Sequence, residues 1–584
     1  MSDPILHASG TAAAGSGLTT RNPLRTPRLV LVGVALFAIA GACFALWLRG
    51  VAAGSQDARL FRNVFYVLFA RNEPLGLLVV ALFSLGAAFL LFRKRTAPAS
   101  TAAESPQPRG RLVLPAIAVA VFAVTALGTQ FVCHDYALTA DEYMADFQAK
   151  IFLRGKVLAE LPAGWSAVGS ITPTYVDYFP QTRSWKSTYL PGYAAIRAVF
   201  QSVDLQSLLN PFLAAVTVLA LYGTARNIWP EQEANALAAV LLLPASPQFL
   251  VLGMTAYAMP AHLALNTCWL WLYSDQTKRR FYVAPLIGVL AIGLHQPIVH
   301  ALFVAPFLLR LLLQRRWRAV FVFGAIYAAG CCAWQMWRLH YAPPPAASGG
   351  SGESILWLWN PQMFIVQPMN LLLLIGWTAL CVPLLCSFGF ARFSKMPAFL
   401  QDAALSCALT FGFYYFFYTD QAHGWGYRYF HGTLSCLVLV ATGGWNVLSE
   451  RVGSRISRGF LVAGVAVSLL VLLPLRCYQA ETFTRPYARA AAAIATMPNS
   501  VVALDGRDCW YCYDLIRNDP FLEEPPIVVS LSRLTPESVI ALKNTDGVQF
   551  LERADLAAFG LTTKRDTEFK HDRFDLGLGI KAVR

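Results

Sequence analysis

Two adjacent carboxylates, in the stretch Thr139-Ala-Asp141-Glu142-Tyr143, stand where proton transfer is possible. They follow a long apolar segment that has ended by His134, seven residues earlier. Acidic side chains are scarce in this chain: 33 Asp and Glu against 47 Lys and Arg in 584 residues, 56% of them hydrophobic. A carboxylate pair at a membrane surface can hold a proton acceptor beside a lipid-borne substrate. The same residues also fit a structural pattern. Thr139-x-x-Glu142 reads as a capping box, with Glu142 reaching back from the third helical position and Asp141 in the favourable field of the helix dipole. The two readings are compatible, because a cap that holds Glu142 also rigidifies Asp141. They leave Asp141 as the proton acceptor.

Further along the same polar stretch, Tyr175, Tyr178, Arg183, Trp185, Lys186 and Tyr189 precede a turn at Pro191-Gly192. A second cluster runs from Asp420 through His423-Gly-Trp-Gly to Tyr427, Arg428 and His431. Its two glycines allow close backbone approach, and a guanidinium among aromatic rings can bind a phosphate oxygen bidentately in a poorly hydrated site. The plainer alternative is that Arg428 and its aromatic neighbours anchor a span at the interface. His295, in His295-Gln-Pro297, lies near the end of an apolar run, as do His300 and His262. No carboxylate stands at ligand spacing from them, so no metal site is expected.

The elements that must carry these residues are helices. A mean hydropathy of +0.48 and many apolar runs of about 20 residues describe a polytopic membrane protein. In hydrocarbon every backbone amide must be bonded within its own segment, so the runs are expected to be helical. About thirteen spans are expected, near 29–48, 74–92, 112–132, 206–225, 234–252, 257–273, 282–297, 299–314, 319–338, 365–388, 403–419, 430–448 and 459–475. Arg93-Lys94-Arg95, Lys278-Arg279-Arg280, Arg315-Arg316, Arg392 with Lys395, and Arg451 with Arg455 fall in alternate loops. The positive-inside rule puts those loops and the N-terminus in the cytoplasm. One loop disagrees, because 49–73 carries Arg49, Arg59, Arg62 and Arg71; residues 59–71 are read as an interfacial amphipathic segment.

Four parts follow from this pattern. Residues 1–28 form a disordered cytoplasmic tail, and 29–110 hold two N-terminal spans. Residues 111–475 form a transmembrane core with a long external loop, 133–205. In that loop Tyr143, Phe147 and Ile151 recur at helical spacing, and the helix they mark is expected along the outer leaflet. Residues 476–584 carry 14 basic and 15 acidic side chains, whereas the preceding 475 carry 33 and 18. That tail is expected to be a soluble extracytoplasmic α/β domain with strands at 500–504, 527–531 and 547–551 and a helix at 536–543. It has no phosphate-binding loop and no nucleophile elbow. Cys509 and Cys512 form a disulfide there or remain free thiols. The basic balance belongs to membrane loops, so nucleic acid is not an expected partner.

The order of these features resembles the GT-C class of membrane glycosyltransferases, within the group of protein O-mannosyltransferases and the lipid A aminoarabinose transferase. The matching residues are Asp141-Glu142 with the helix through Gly155, the turn Tyr189-Leu-Pro191-Gly192-Tyr193, and Gly426-Tyr427-Arg428-Tyr429. The likeness covers about residues 111–475, and the two spans before it look like an addition. It implies an inverting transfer of a sugar from a polyprenyl-phosphate donor to a lipid, glycan or protein acceptor at the outer face of a bacterial inner membrane. Asp141 matches the general base, and Glu142 orients the acceptor or completes the cap. Lys186 and Arg428 are candidates for the donor phosphate, with Arg183, Tyr189, Tyr427 and His295 as further substrate contacts. Some relatives carry another acidic residue in the next external loop, but Gly253 to His262 has none, which leaves a bound metal in doubt. A lipid-linked glycan flippase or transporter, or a non-catalytic glycan-assembly protein, is the alternative. A flippase or transporter would place charged or broken-helix sites at mid-membrane.

Overall fold

The computed structural model describes residues 25–54, 64–93, 110–163, 168–342, 363–416, 421, 423–507 and 509–561. Most of the expected N-terminal tail, the basic segment around Lys94 and Arg95, the stretch 343–354, Asp420 and the C-terminal end lie outside these residues.

Among them, seven helices are long and apolar enough to cross a membrane, or nine if each of two bent pairs counts as one span. The expected count of thirteen is not confirmed among the described residues. The expected span 282–297 holds the end of a 3-10 helix, Arg279–Val283, and the α-helix Ala284–Ile292. Gly293 follows it, and Pro297 holds Gln296 in an extended conformation before the next helix, Pro297–Leu313. Proline lacks an amide proton and disfavours helical backbone in the residue before it, so the apolar run is broken in two. The expected spans 234–252 and 365–388 are bent pairs, with angles of 62° and 113°.

The first two helices, α1 (Arg25–Gly54) and α2 (Val64–Arg93), form a hairpin. Residues 64–71 do not form an interfacial segment. They are the first turns of α2, with Val64, Phe65 and Tyr66 buried in protein. Residues 59–63 lie outside the described residues. Glu73 of α2 meets Arg476 at 2.7 Å, and the Trp377 indole donates to the same carboxylate at 3.1 Å. A buried charge pair thus ties the hairpin to the core.

After α3 (Gly110–Phe131) comes α4 (Ala140–Leu153), which begins one residue before Asp141. Tyr143, Phe147 and Ile151 are buried, but against protein rather than along a lipid surface. They pack with Trp185, Phe521, Leu522 and Ile527. Lys150 and Arg154, on the outer side of α4, pair with Glu524 and Glu523. The loop between α4 and the next span is an ordered unit. It contains β1 (Ala159–Glu160), the short helix α5 (Val168–Ile171), β2 (Val176–Phe179) and β3 (Ser184–Ser187) in an antiparallel sheet of order β1-β3-β2, followed by α6 (Gly192–Gln201).

The C-terminal part contains a parallel sheet of order β5-β4-β6, formed by β4 (Val501–Leu504), β5 (Ile527–Ser530) and β6 (Val548–Leu551). The helix Pro536–Lys543 forms where it is expected and starts from a Thr535 cap. The expected boundary at 476 falls inside the helix Leu473–Ala495. Nor does this part stand apart from the 133–205 loop. The Tyr143 hydroxyl donates to the Asn518 carbonyl at 3.0 Å, and the Trp185 indole to that of Pro520 at 2.8 Å. Cys509 and Cys512 are joined in a disulfide.

Candidate active site

Three segments distant in sequence converge on Asp141. The first is the start of α4, which places Asp141 in the helix's first turn, where free amides favour a negative charge. The second is the break before Pro297. There the Pro191-Gly192 turn docks so closely that the Gly192 amide donates to the Gly293 carbonyl at 2.8 Å, and that of Tyr193 to Leu294 at 3.2 Å. A Cβ on Gly192 would lie 2.5 Å from that carbonyl oxygen, so only glycine permits the approach. The docking sets the Tyr189 ring on the His295 imidazole, with centroids 3.9 Å apart. His295 Nε2 then stands 3.3 Å from Asp141 Oδ1.

The third segment is the His423-Gly-Trp-Gly loop. Gly424 and Gly426 adopt φ of +58° and +95°, which glycine tolerates without strain. The Gln248 side chain clamps the backbone of Tyr427, donating to its carbonyl at 2.8 Å and accepting from its amide at 3.0 Å. Gln421 accepts from the Arg428 amide at 2.8 Å. With its backbone held at both residues, Arg428 sends Nη1 to within 2.9 Å of Asp141 Oδ2. The guanidinium lies between the rings of Tyr257 and Tyr429, at 5.0 and 5.1 Å.

The two adjacent carboxylates are in opposite electrostatic surroundings. Burial disfavours the charge on Asp141, but a hydrogen bond from His295, the Arg428 charge and a hydrogen bond from Tyr189 outweigh it and hold the group well below the usual carboxylate range. Glu142 is 1% exposed, and burial is the main penalty on its charge. Its Oε2 accepts the Ala256 amide at 3.2 Å, which with the Arg517 and Arg428 charges only partly offsets burial, and the neighbouring Asp141 charge adds to the penalty. Glu142 is pushed up to about 8. At neutral pH one carboxyl is ionised and its neighbour carries a proton, a separation suited to two distinct roles.

The capping box is therefore absent. Thr139 occupies the N-cap position without a side-chain capping bond, and its hydroxyl faces the Tyr257 hydroxyl at 3.4 Å. Glu142 turns inward instead, to Ala256 and towards His423, whose Nε2 lies 3.7 Å from its Oε1. Tertiary partners outcompete the local cap.

A narrow cleft, partly open to solvent, runs beside Asp141. Tyr189, His295, Tyr193, Gln148 and Ser187 give it polar groups, and Met144, Leu190 and Leu294 an apolar wall. Of the expected substrate contacts, Tyr189, His295 and Arg428 join the Asp141 cluster. Lys186 does not. It sits opposite Asp177 in the β2–β3 pair and bonds its carboxylate at 2.6 Å. Arg183, in the turn between β2 and β3, donates to the carbonyls of Pro162 and Ala163 in the segment after β1. The Tyr427 ring is buried on Phe430, so this residue positions Arg428 rather than lining the cleft. Sequence reasoning did not assign Tyr257, Gln248 or Tyr511, which lie in apolar or loop stretches without a motif. Among the described residues no three His, Cys, Asp or Glu side chains come together as a metal-holding group.

No family model matches this chain, and no curated protein matches it. Solved structures do. The chain is similar to ArnT from Cupriavidus metallidurans in the apo state, at 12% identity and a TM-score of 0.48, over 72% of this chain and 85% of that one. It is also similar to ArnT from the same organism bound to undecaprenyl phosphate, at 13% identity and a TM-score of 0.49, over 75% of this chain and 95% of that one.

Proposed function

We propose that this protein is a GT-C-type membrane glycosyltransferase that moves a sugar from a polyprenyl-phosphate carrier to an acceptor hydroxyl, with inversion, on the membrane face opposite its basic loops. The observation that carries this reading is the ionised Asp141 held between Arg428 and His295 at the edge of a cleft. The resemblance of the Asp141-Glu142 and Gly426-Tyr427-Arg428 segments to that class agrees with it.

In the reaction, Asp141 takes the proton of the acceptor hydroxyl as that oxygen bonds to the anomeric carbon. The bond from that carbon to the carrier phosphate breaks, and its electron pair stays on the phosphate oxygen. Attack from the far side inverts the centre. A carboxylate so strongly stabilised is a weak base while Arg428 is its partner. A donor phosphate in the cleft competes for the same guanidinium, which weakens the pairing and raises the basicity of Asp141 once substrate is bound. Arg428 then balances the charge that grows on the leaving phosphate. Glu142, protonated, orients the acceptor. No metal is part of this proposal, and the acceptor is an envelope lipid, glycan or protein.

The test is transfer from radiolabelled polyprenyl-phosphate sugar in proteoliposomes. Asp141→Asn is expected to lower the rate by about 10²–10⁴, the usual contribution of a general base. Transfer at the wild-type rate in that variant sinks the assignment.

A further inference from the structure

One polar path reaches the site from outside the membrane helices. His423 joins two parts of the fold: its Nε2 stands 3.1 Å from the Tyr257 hydroxyl and 3.7 Å from Glu142 Oε1, and its Nδ1 lies 3.2 Å from the Tyr511 hydroxyl. Tyr511 belongs to the C-terminal part. It lies inside the ring closed by the Cys509–Cys512 disulfide, with φ of +55°, a left-handed conformation that a bulky residue rarely adopts. Such a conformation persists only where the surroundings over-determine it, and the short covalent ring does so here. The disulfide is itself buried, with Cys509 3% and Cys512 0% exposed, which makes it a clamp rather than an accessible thiol pair.

The geometry points to Tyr511, held by the Cys509–Cys512 clamp, as a positioning residue that acts on Glu142 through His423. A neutral imidazole donates from one nitrogen and accepts at the other, and the partner of one nitrogen decides the state of the other. When the Tyr511 oxygen accepts the Nδ1 proton, Nε2 is left as an acceptor facing Tyr257 and Glu142. The acceptor-orienting carboxyl then has a fixed partner. Without the Tyr511 hydroxyl the ring is free to take the other tautomer, which sets an N–H against the Tyr257 hydroxyl and Glu142. The Tyr511 ring also packs edge-on against Phe483, at 6.2 Å, and a phenylalanine keeps that packing.

This inference rests on the transferase reading of the site. In proteoliposomes supplied with radiolabelled polyprenyl-phosphate sugar, Tyr511→Phe is expected to lower kcat about tenfold, the effect of one buried hydrogen bond. KM for the donor is expected to stay unchanged. His423→Ala is expected to lower kcat further, and the double variant to match His423→Ala alone, because the two residues act in series. Cys509→Ser with Cys512→Ser is expected to reproduce the Tyr511→Phe loss. If that pair fails to fold, Tyr511→Phe still decides. Wild-type kcat in Tyr511→Phe, a change in KM alone, or additive losses in the double variant overturns the inference and leaves the transferase reading standing. Absence of transfer by the wild-type protein overturns both.

Discussion

Asp141 and Arg428 are 287 residues apart in the chain and meet at 2.9 Å. Their side chains are only 12% and 10% exposed, so the pair is poorly screened by solvent. Each restrains the other: the carboxylate neutralises a cation that phosphate would seek, and the cation suppresses a base that a hydroxyl would need. A ligand that takes Arg428 therefore activates Asp141.

Arg428→Lys keeps the charge but loses the planar fork that binds phosphate with two hydrogen bonds. It is expected to weaken binding of undecaprenyl phosphate, measured in nanodiscs, by about tenfold, the equivalent of about 1.4 kcal/mol. An unchanged dissociation constant argues against a phosphate role for Arg428.

Glu142 supplies a pH dependence whose sign is fixed. Its native value of about 8 lies above the ordinary 4.5, so the native state holds a proton that the unfolded chain has released across that interval. The stability it contributes is fully present below pH 4.5 and is lost as pH rises through 8. Glu142→Gln, which mimics the protonated group, is expected to flatten this decline. At pH 9 it should melt above the wild-type protein in thermal scans. If protonated Glu142 orients the acceptor, the alkaline fall in transfer rate flattens with it.

Gly192→Ala tests the docking of the two loops. The added methyl would meet the Gly293 carbonyl at 2.5 Å, so the turn must retreat and draw Tyr189 away from His295. Overpacking of this kind costs about 1–3 kcal/mol, and transfer is expected to fall with it. Gly86→Ala, in open space on α2, is the control and is expected to be neutral in both measurements.

The Glu73–Arg476 pair bears on the N-terminal hairpin. Both groups are buried, and Arg476 also donates to Gln479 and to the Gly376 carbonyl. Glu73→Gln alone strands a buried charge and is expected to destabilise the protein by about 3–5 kcal/mol. Glu73→Gln with Arg476→Met removes both charges and is expected to recover much of that loss. Equal melting temperatures for wild type and Glu73→Gln would show that the pair does not hold the hairpin.

Several features were legible in the sequence because their causes are local. Apolar runs form helices wherever no proline interrupts them, since backbone amides find partners within the segment. The strands at 501–504, 527–530 and 548–551 follow from short β-branched runs between turn signals. Asp141, Tyr189, His295 and Arg428 each stood out by residue type and position. Local reasoning failed where long-range partners prevailed. Lys186 finds Asp177 across a hairpin, and Glu142 abandons its cap for Ala256.

The sequence by itself determined a helical membrane protein and the residue types available for chemistry. Only the tertiary structure decided that Asp141 stands between His295 and Arg428 while Glu142 faces His423. Residue type sets what a side chain can do, but burial and the charges brought beside it set its protonation. Those depend on contacts between segments hundreds of residues apart.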